Sequence, residues 1–515
     1  MQTLSSYLMG AWCAGEDEGS PLYDPTTEKL VARASTTGLD IGAAMNYARD
    51  VGGPALRAMT FAERGALLAG MSKAIHAKRE ELIEMGRINA GNTRGDAKFD
   101  IDGASGTLMF YAKLGEGLGD QRLLSDGEAA KIGGARLIGQ HVLAPRPGVA
   151  VHINAFNFPA WGLAEKAACA ILAGMPVVSK PGTATALMAW GLVQAVVEAE
   201  VLPPGVLNFV CGSARDLLDH VTWADVVAFT GGAETADRIR RHPRVMAVQP
   251  RLNIEADSLN AALLVPDADD ATYDCFIRDL HREMTQKTGQ KCTATRRALV
   301  PEDMLEEVVE DVGERLQRTV VGDPAADGVR MGPLASAAQL ASAKEGIAAL
   351  RQEADIVWGE PDGGALTGVE PGTGYFQTPL LLQARDSHAA QAIHDIEVFG
   401  PVATLLPYDG TAASATALIQ RGQGGLVASV YGDDRPFLRE AIFGLAGWHG
   451  RVVVTDGKVA DRAMAPGMAL PQLLHGGPGR AGGGQELGGL RGLTLYQQRC
   501  AIQGNGPLLA RLLEG

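Results

Sequence analysis

Between Val149 and Val265 short apolar runs alternate with helical segments, and no other feature restricts the fold as tightly. Val149-Ala150-Val151-His152-Ile153, Val177-Val178-Ser179, Val206 to Val210 and Val226-Val227-Ala228-Phe229 read as strands. Pro159 to Ala173, closed by Gly174, and Thr183 to Glu200 read as the helices between them. Short connections in that order require parallel strands joined by right-handed crossovers, which gives a doubly wound α/β domain. Ligands of such sheets bind beyond the carboxyl ends of the strands. Three segments fall there: Asn154 to Pro159, Lys180-Pro181-Gly182-Thr183, and Thr230-Gly231-Gly232-Ala233-Glu234-Thr235.

Each segment offers a specific chemistry beside a bland alternative. Gly231 and Gly232 let backbone N–H groups approach a diphosphate at a helix start, or simply make a tight turn. Lys180 follows an apolar strand, so its ammonium either reaches a ribose hydroxyl or phosphate or snorkels to water. No GxGxxG sequence is present, because Cys211-Gly212-Ser213-Ala214 lacks the further glycines. Asn253-Ile254-Glu255-Ala256-Asp257 precedes the strand Ala261 to Val265; in an extended segment Glu255 and Asp257 share a face, and either can be a general base.

Gly289-Gln290-Lys291-Cys292-Thr293 lies between a helical stretch (Tyr273, Phe276, Ile277, Leu280, Met284) and the strand Ala298-Leu299-Val300. Cys292 is then a loop thiol held between packed elements. Lys291, Arg296 and Arg297 lie close enough in sequence to favour a thiolate. A lone cysteine is also a common buried apolar residue, so its role depends on spatial partners.

The bulk properties exclude several classes. With 515 residues the chain exceeds one core, and 46 basic against 60 acidic residues give a net charge of −14, which argues against nucleic-acid binding. The six cysteines show no CxxC pair and no metal spacing, so a reducing compartment and no metal site are expected. Met1 to Ser6 lacks a signal-peptide pattern, and the apolar run from Ala167 to Val178 contains Pro176 and is short for a bilayer span. A cytoplasmic location is expected. Phe61 to about Asn89 reads as helical, Met304 to Leu316 as a helix of a second α/β domain, Gly476 to Gly484 as a mobile loop, and Leu493 to Tyr496 as a closing strand.

Taken in order, Phe156-Asn157-Phe158-Pro159, Val178-Ser179-Lys180-Pro181, Phe229-Thr230-Gly231-Gly232, Asn253-Ile254-Glu255 and Gly289-Gln290-Lys291-Cys292 resemble the site motifs of the aldehyde dehydrogenase superfamily. Met331-Gly332-Pro333-Leu334, Gly374-Tyr375-Phe376, Glu397-Val398-Phe399-Gly400-Pro401-Val402 and Leu426 to Tyr431 extend the likeness downstream. The resemblance implies a Rossmann-like cofactor domain (1–124 and 147–254), an α/β catalytic domain (255–470) and a small β oligomerisation element (125–146 and 480–515). It implies Cys292 as nucleophile, Glu255 as base and Asn157 in the oxyanion site, with Lys180, Thr183, Phe156, Gly231, Gly232, Glu397 and Phe399 around the nicotinamide cofactor. On this reading the charge of Lys291 faces solvent, and the thiolate depends on bound cofactor and backbone donors.

Two departures sharpen the expectation. Ala256-Asp257-Ser258 follows Glu255 where the family usually has leucine and two glycines. Thr183 stands where NAD-preferring members carry a glutamate, and the absence of that carboxylate favours NADP over NAD. The stretch Asn253 to Asn260 and the tail Gly479 to Gly489 are similar to the branch that oxidises CoA-linked semialdehydes in aerobic aromatic (benzoate) degradation. That similarity implies a CoA-thioester aldehyde as substrate, a carboxylic acid as product, and a homodimer, with a tetramer as alternative. A dehydrogenase of a small free aldehyde, a cysteine thioester hydrolase without a redox step, and a nucleotide-binding oligomer without catalysis are the competing readings.

Overall fold

The computed structural model describes residues 2–134, 136–361 and 363–513. Two seven-stranded sheets organise it. The first runs, in spatial order, Arg251–Glu255, Val226–Thr230, Ala150–Ile153, Val177–Lys180, Leu207–Phe209, then Ser6–Leu8 and Ala11–Cys13. The five strands from Ala150 to Glu255 pair in parallel, as the alternation requires, and the two N-terminal strands close the sheet antiparallel. Val177, Val178 and Ser179 are fully buried, because helices cover both faces of a parallel sheet.

The covering helices follow from local chemistry. Phe61–Ala77 begins at a capping box between Thr60 and Glu63. Trp161–Ala173 is buried almost all round and ends where Gly174 turns left-handed, at φ 95°. Thr183–Thr185 forms a short 3-10 turn before Ala186–Glu198 continues the expected helix.

The second sheet has the order Ala354–Trp358, Leu380–Ala384, Val402–Tyr408, Arg297–Pro301, Ala261–Leu264, Gly425–Tyr431, His449–Thr455. Glu255 therefore ends a strand of the first sheet, and Ala261 opens a strand of the second. A smaller sheet joins Leu137–Pro145 to Gln497–Asn505 and to Leu124–Ser125 and Ala130–Lys131. The closing strand thus starts at Gln497, because Leu490–Leu493 and Thr494–Tyr496 form helical turns that bury Leu493 and Tyr496. Among the described residues of 480–515, Gln497–Asn505 is the segment that joins the small sheet. Gln485–Leu487 pairs instead with Leu474–Gly476, and the glycines between them pack closely: Gly484 N–H donates to Ile254 O and Ala256 N–H to Ala481 O. The expected loop is a bonded hairpin against the end of the Glu255 strand. Among the described residues, no helix is long and apolar enough to cross a membrane.

The segment that delivers Cys292 is held by an unusual backbone. Helix Asp270–Thr285 gives way to Lys287 and Thr288, both left-handed at φ 52° and 56°, and then to Gly289 at φ 67°. Left-handed non-glycine residues cost about 1–2 kcal/mol each, so neighbours must fix them. Lys287 N–H donates to Asp96 Oδ1 at 2.9 Å, the Lys287 ammonium lies 3.5 Å from Asp100 Oδ2, and Thr288 Oγ1 donates to Gly332 O at 2.9 Å. A Cβ on Gly289 would sit 2.2 Å from Gly400 O, so only glycine fits. Lys287→Met is expected to lower stability by about 3–5 kcal/mol, since it leaves the fully buried Asp100 without its ion partner. Denaturant unfolding checks this, and adding Asp100→Asn restores part of the loss.

Candidate active site

The Cys292 loop is fixed from beneath as well. Asn260 Nδ2 donates to Cys292 O at 2.8 Å and to Ala294 O at 3.0 Å, while its own Oδ1 accepts from Ser258 Oγ and Val427 N. Asn157 Nδ2 donates to Gln290 O at 3.0 Å, and Gln290 Oε1 accepts from Ala335 N at 3.0 Å. Among the described residues the Cys292 backbone N–H has no hydrogen-bond acceptor. Cys292, Glu255, Asn157 and Thr230 line one pocket, whose walls are Phe99, Phe158 and Trp161. Those rings meet edge-on at 5.3–5.9 Å.

Glu255 and Asp257 part company. Glu255 is 2% exposed and turns into the pocket, while its backbone O accepts from Gly231 N at 3.1 Å. Asp257 Oδ1 instead accepts from Ala233 N at 3.0 Å, at the start of helix Ala233–Arg240. The shared face expected of an extended run ends where the strand stops at Glu255.

His475 completes the cluster. Its Nε2 lies 3.2 Å from Glu255 Oε2 and 3.9 Å from Cys292 Sγ. Burial pushes the Glu255 carboxyl up, but the His475 imidazolium and then Lys166 outweigh this and hold it down at about 2. His475 is held above the ordinary histidine value, because the charge of Glu255 outweighs its own desolvation. The Glu255–His475 contact has ion-pair distance without the angle of a good hydrogen bond, so both Glu255 oxygens remain unsatisfied. Burial, reinforced by Glu255 and Glu165, pushes the Cys292 thiol well above its ordinary value.

The basic neighbours in sequence are committed elsewhere. Lys291 is 1% exposed and pairs with Glu283 at 2.9 Å, so its charge does not face solvent as expected. Arg296 lies 3.5 Å from Glu397 Oε1, and Arg297 bonds His394 Nδ1 and the carbonyls of Leu418, Leu259 and Ile419. These cations brace the fold around the loop, since a buried charge is tolerated only when paired.

Behind Glu255 lies a second buried set. Lys166 Nζ is 3.0 Å from Glu486 Oε2 and 3.4 Å from Glu165 Oε1, and Asn253 Nδ2 donates to Glu486 Oε1 at 2.9 Å. Burial raises Glu165 to about 7. His475, Lys166, Glu165, Glu486 and Asn260 were not identified as site residues from sequence. The one visible signal was Glu165-Lys166, a charged pair inside an otherwise apolar helix.

The remaining predicted residues cluster at the sheet edge. Lys180 Nζ lies 3.3 Å from Thr183 Oγ1, which donates to Gly212 O at 3.1 Å. Burial holds the Lys180 ammonium below the usual lysine value, and the neighbouring ionisable group acting on it is the Cys211 thiol. Gly232 caps the following helix, and a Cβ there would meet open space. Burial raises Glu397 to about 7 against the pull of Arg296, while its Oε2 accepts from Ser258 N at 3.2 Å. Phe399 meets Phe156 edge-on at 5.8 Å and lies under the Arg296 guanidinium. Glu397 Oε1 and Thr230 Oγ1 are buried without a hydrogen-bond partner, which fits a bound group rich in hydroxyls and amides.

Comparison with known proteins gives this arrangement its context. The chain is 48% identical over 478 residues to a 3,4-dehydroadipyl-CoA semialdehyde dehydrogenase of Aromatoleum evansii, covering 92% of this chain and 93% of that protein. It is 28% identical over 436 residues to the NADP(+) succinate-semialdehyde dehydrogenase GabD of Escherichia coli (strain K12), covering 83% and 85%. The fold matches a Staphylococcus aureus betaine aldehyde dehydrogenase in complex with NAD+, with a TM-score of 0.85 at 22% identity over 98% of each chain. Residues 12–494 match the model of the aldehyde dehydrogenase family, and the chain belongs to that family.

Proposed function

We propose that the protein oxidises the aldehyde of a CoA-thioester semialdehyde, of the 3,4-dehydroadipyl-CoA semialdehyde type, to the carboxylic acid with NADP, as a step of aerobic aromatic (benzoate) breakdown. The observation that carries the reading is the meeting of the Cys292 thiol and the Glu255 carboxylate in one buried pocket beside Asn157. The likeness to the Aromatoleum evansii enzyme over 92% of the chain supports the substrate class.

Cys292 loses its proton toward the Glu255–His475 pair, which passes it on to solvent and so frees Glu255 for the later step, and the sulfur bonds to the aldehyde carbon. The carbonyl oxygen gains charge opposite the second N–H of Asn157 and the free N–H of Cys292. A nicotinamide held beside Glu397, Phe399 and Phe156 would supply the hydride acceptor. Glu255 then takes a proton from water, the new oxygen bonds to the thioacyl carbon, the C–S bond breaks, and the acid leaves. Phe99, Phe158 and Trp161 give the pocket apolar walls that suit a slender unsaturated chain.

Lys180, Thr183 and the Gly231-Gly232 turn would hold the adenosine and diphosphate, Gly231 by leaving room rather than by its N–H, which is bound to Glu255 O, with Glu397, Phe399 and Phe156 at the nicotinamide end. Lys180 is half-buried and has no carboxylate partner among the described residues, so a 2′-phosphate would balance its charge. The outer edge of Gln497–Asn505 is free in the four-stranded sheet, and we place the dimer contact there.

Four outcomes test this reading. In steady state, the CoA-linked semialdehyde should exceed short free aldehydes in kcat/KM, and NADP should exceed NAD. Thr183→Glu should raise the KM for NADP about tenfold or more while leaving that for NAD nearly unchanged, since tenfold corresponds to about 1.4 kcal/mol of charge repulsion. Asn157→Ala should lower kcat by about 10²–10³. Because the thiol is raised, thiolate is scarce near neutrality, and iodoacetamide alkylation of Cys292 should still accelerate above pH 9.0, the ordinary value. A plateau below that pH would contradict the assigned environment.

A further inference from the structure

Cys292, Glu255 and His475 are far apart in sequence, so no spacing motif relates them, yet their Sγ, carboxylate oxygen and Nε2 all lie within 4.8 Å of one another. His475 Nε2 stands 3.2 Å from Glu255 Oε2 and 3.9 Å from Cys292 Sγ. Tetrahedral zinc with sulfur at about 2.3 Å and nitrogen or oxygen at about 2.0–2.2 Å places its ligands roughly 3.4–3.6 Å apart. The His475–Glu255 pair is already near that spacing, and Cys292 has to close by about 0.3–0.5 Å toward His475 and by at most about 1.4 Å toward Glu255 for all three to share a first coordination shell.

A second observation points to a cation independently. Glu255 is 2% exposed, and beyond the 3.2 Å contact of Oε2 with His475 Nε2 no group among the described residues makes a hydrogen bond of ordinary geometry to its carboxylate. Such an orphaned acceptor, aimed at a sulfur and an imidazole, leaves lone pairs for a cation. The surroundings add to this. Glu165, Glu486 and Glu397 stand near the cluster against Lys166 and Arg451, so the local field is rich in carboxylates.

We propose that Cys292, Glu255 and His475 form a reversible inhibitory site for a zinc-class cation, distinct from any resident metal of the reaction. A mixed sulfur, nitrogen and oxygen donor set selects zinc or cobalt over magnesium or calcium. On binding, three bonds form from Sγ, Nε2 and one carboxylate oxygen to the metal. The thiol proton, and the imidazole proton where present, leave to solvent. No electron is transferred. The fourth position stays open to water. The inhibitory consequence rests on the proposed roles of Cys292 and Glu255, because the metal occupies the sulfur lone pair and the base at once; the binding itself does not.

The test uses the whole enzyme without added cofactor and cobalt(II) chloride as probe, followed by zinc competition. The expected result is one cobalt per chain with thiolate-to-cobalt charge-transfer absorption in the near ultraviolet. Zinc should displace the cobalt, and a chelator should restore both the thiol and the activity. Cys292→Ser should abolish the charge-transfer band. Glu255→Gln and His475→Gln should each weaken binding about tenfold or more, with folding checked by circular dichroism. Cys500→Ser, which removes an exposed thiol remote from the site, should leave the band intact. A band that survives Cys292→Ser, an affinity unchanged in both Glu255→Gln and His475→Gln, or no binding at millimolar cobalt overturns the proposal. If the chain binds cobalt in this way yet oxidises no aldehyde, the dehydrogenase reading fails and the metal site stands.

Discussion

Much of the site depends on the left-handed run Lys287-Thr288-Gly289 that interrupts the chain before the nucleophile loop. Nothing local favours it, since Lys287 and Thr288 pay a conformational penalty and Thr288 is β-branched. Long-range bonds hold it. Asp96 and Asp100 come from helix Arg94–Leu118, the Gly332 carbonyl from a downstream turn, and the Gly400 carbonyl presses on Gly289 from the segment that carries Glu397 and Phe399. Asp100 Oδ1 also accepts from Trp161 N at 2.7 Å, at the start of the helix behind the pocket. One buried carboxylate therefore ties the nucleophile loop to the pocket wall, so displacing the run would move Cys292 relative to Asn157.

The second constraint is electrostatic. Glu255, Glu165 and Glu486 are buried within one small region, and His475 and Lys166 offset them. The balance keeps Glu255 ionised and the Cys292 thiol protonated at rest. Two anions on neighbouring groups would repel each other, so a quiescent thiol beside a charged base is the low-energy arrangement. Attack then requires the proton to move as the substrate carbonyl becomes available. The same feature leaves Glu255 with unsatisfied oxygens, ready for water or for a cation.

The parallel strands from Ala150 to Glu255 were legible because apolar runs and short connections admit few topologies, and the structure reproduces their order. The meeting of Cys292, Glu255 and Asn157 was legible only through the family resemblance. What escaped was nonlocal. His475 sits in a glycine-rich stretch that reads as loose, but Gly482 and Gly484 let its hairpin approach the Ile254 carbonyl closely enough to place the imidazole at the site. Lys291 beside the thiol invited an electrostatic role, yet Glu283, two residues before the end of Asp270–Thr285, claims its ammonium. Ser6–Leu8 and Ala11–Cys13 are too short for a periodic signal and join their sheet through the pairing of Tyr7 with Phe209 and through bonds to Asn208 and Cys211.

The central claim is that Cys292 carries the acyl group and Glu255 releases it by activating water. Single-turnover mixing of Glu255→Gln with the CoA-linked semialdehyde and NADP, followed by mass spectrometry of the intact and digested protein, tests it most directly. The account predicts stoichiometric cofactor reduction, little further turnover, and a thioacyl adduct on the Cys292 peptide. Free acid released at the full rate, or an unmodified Cys292 after the reduction burst, would contradict it.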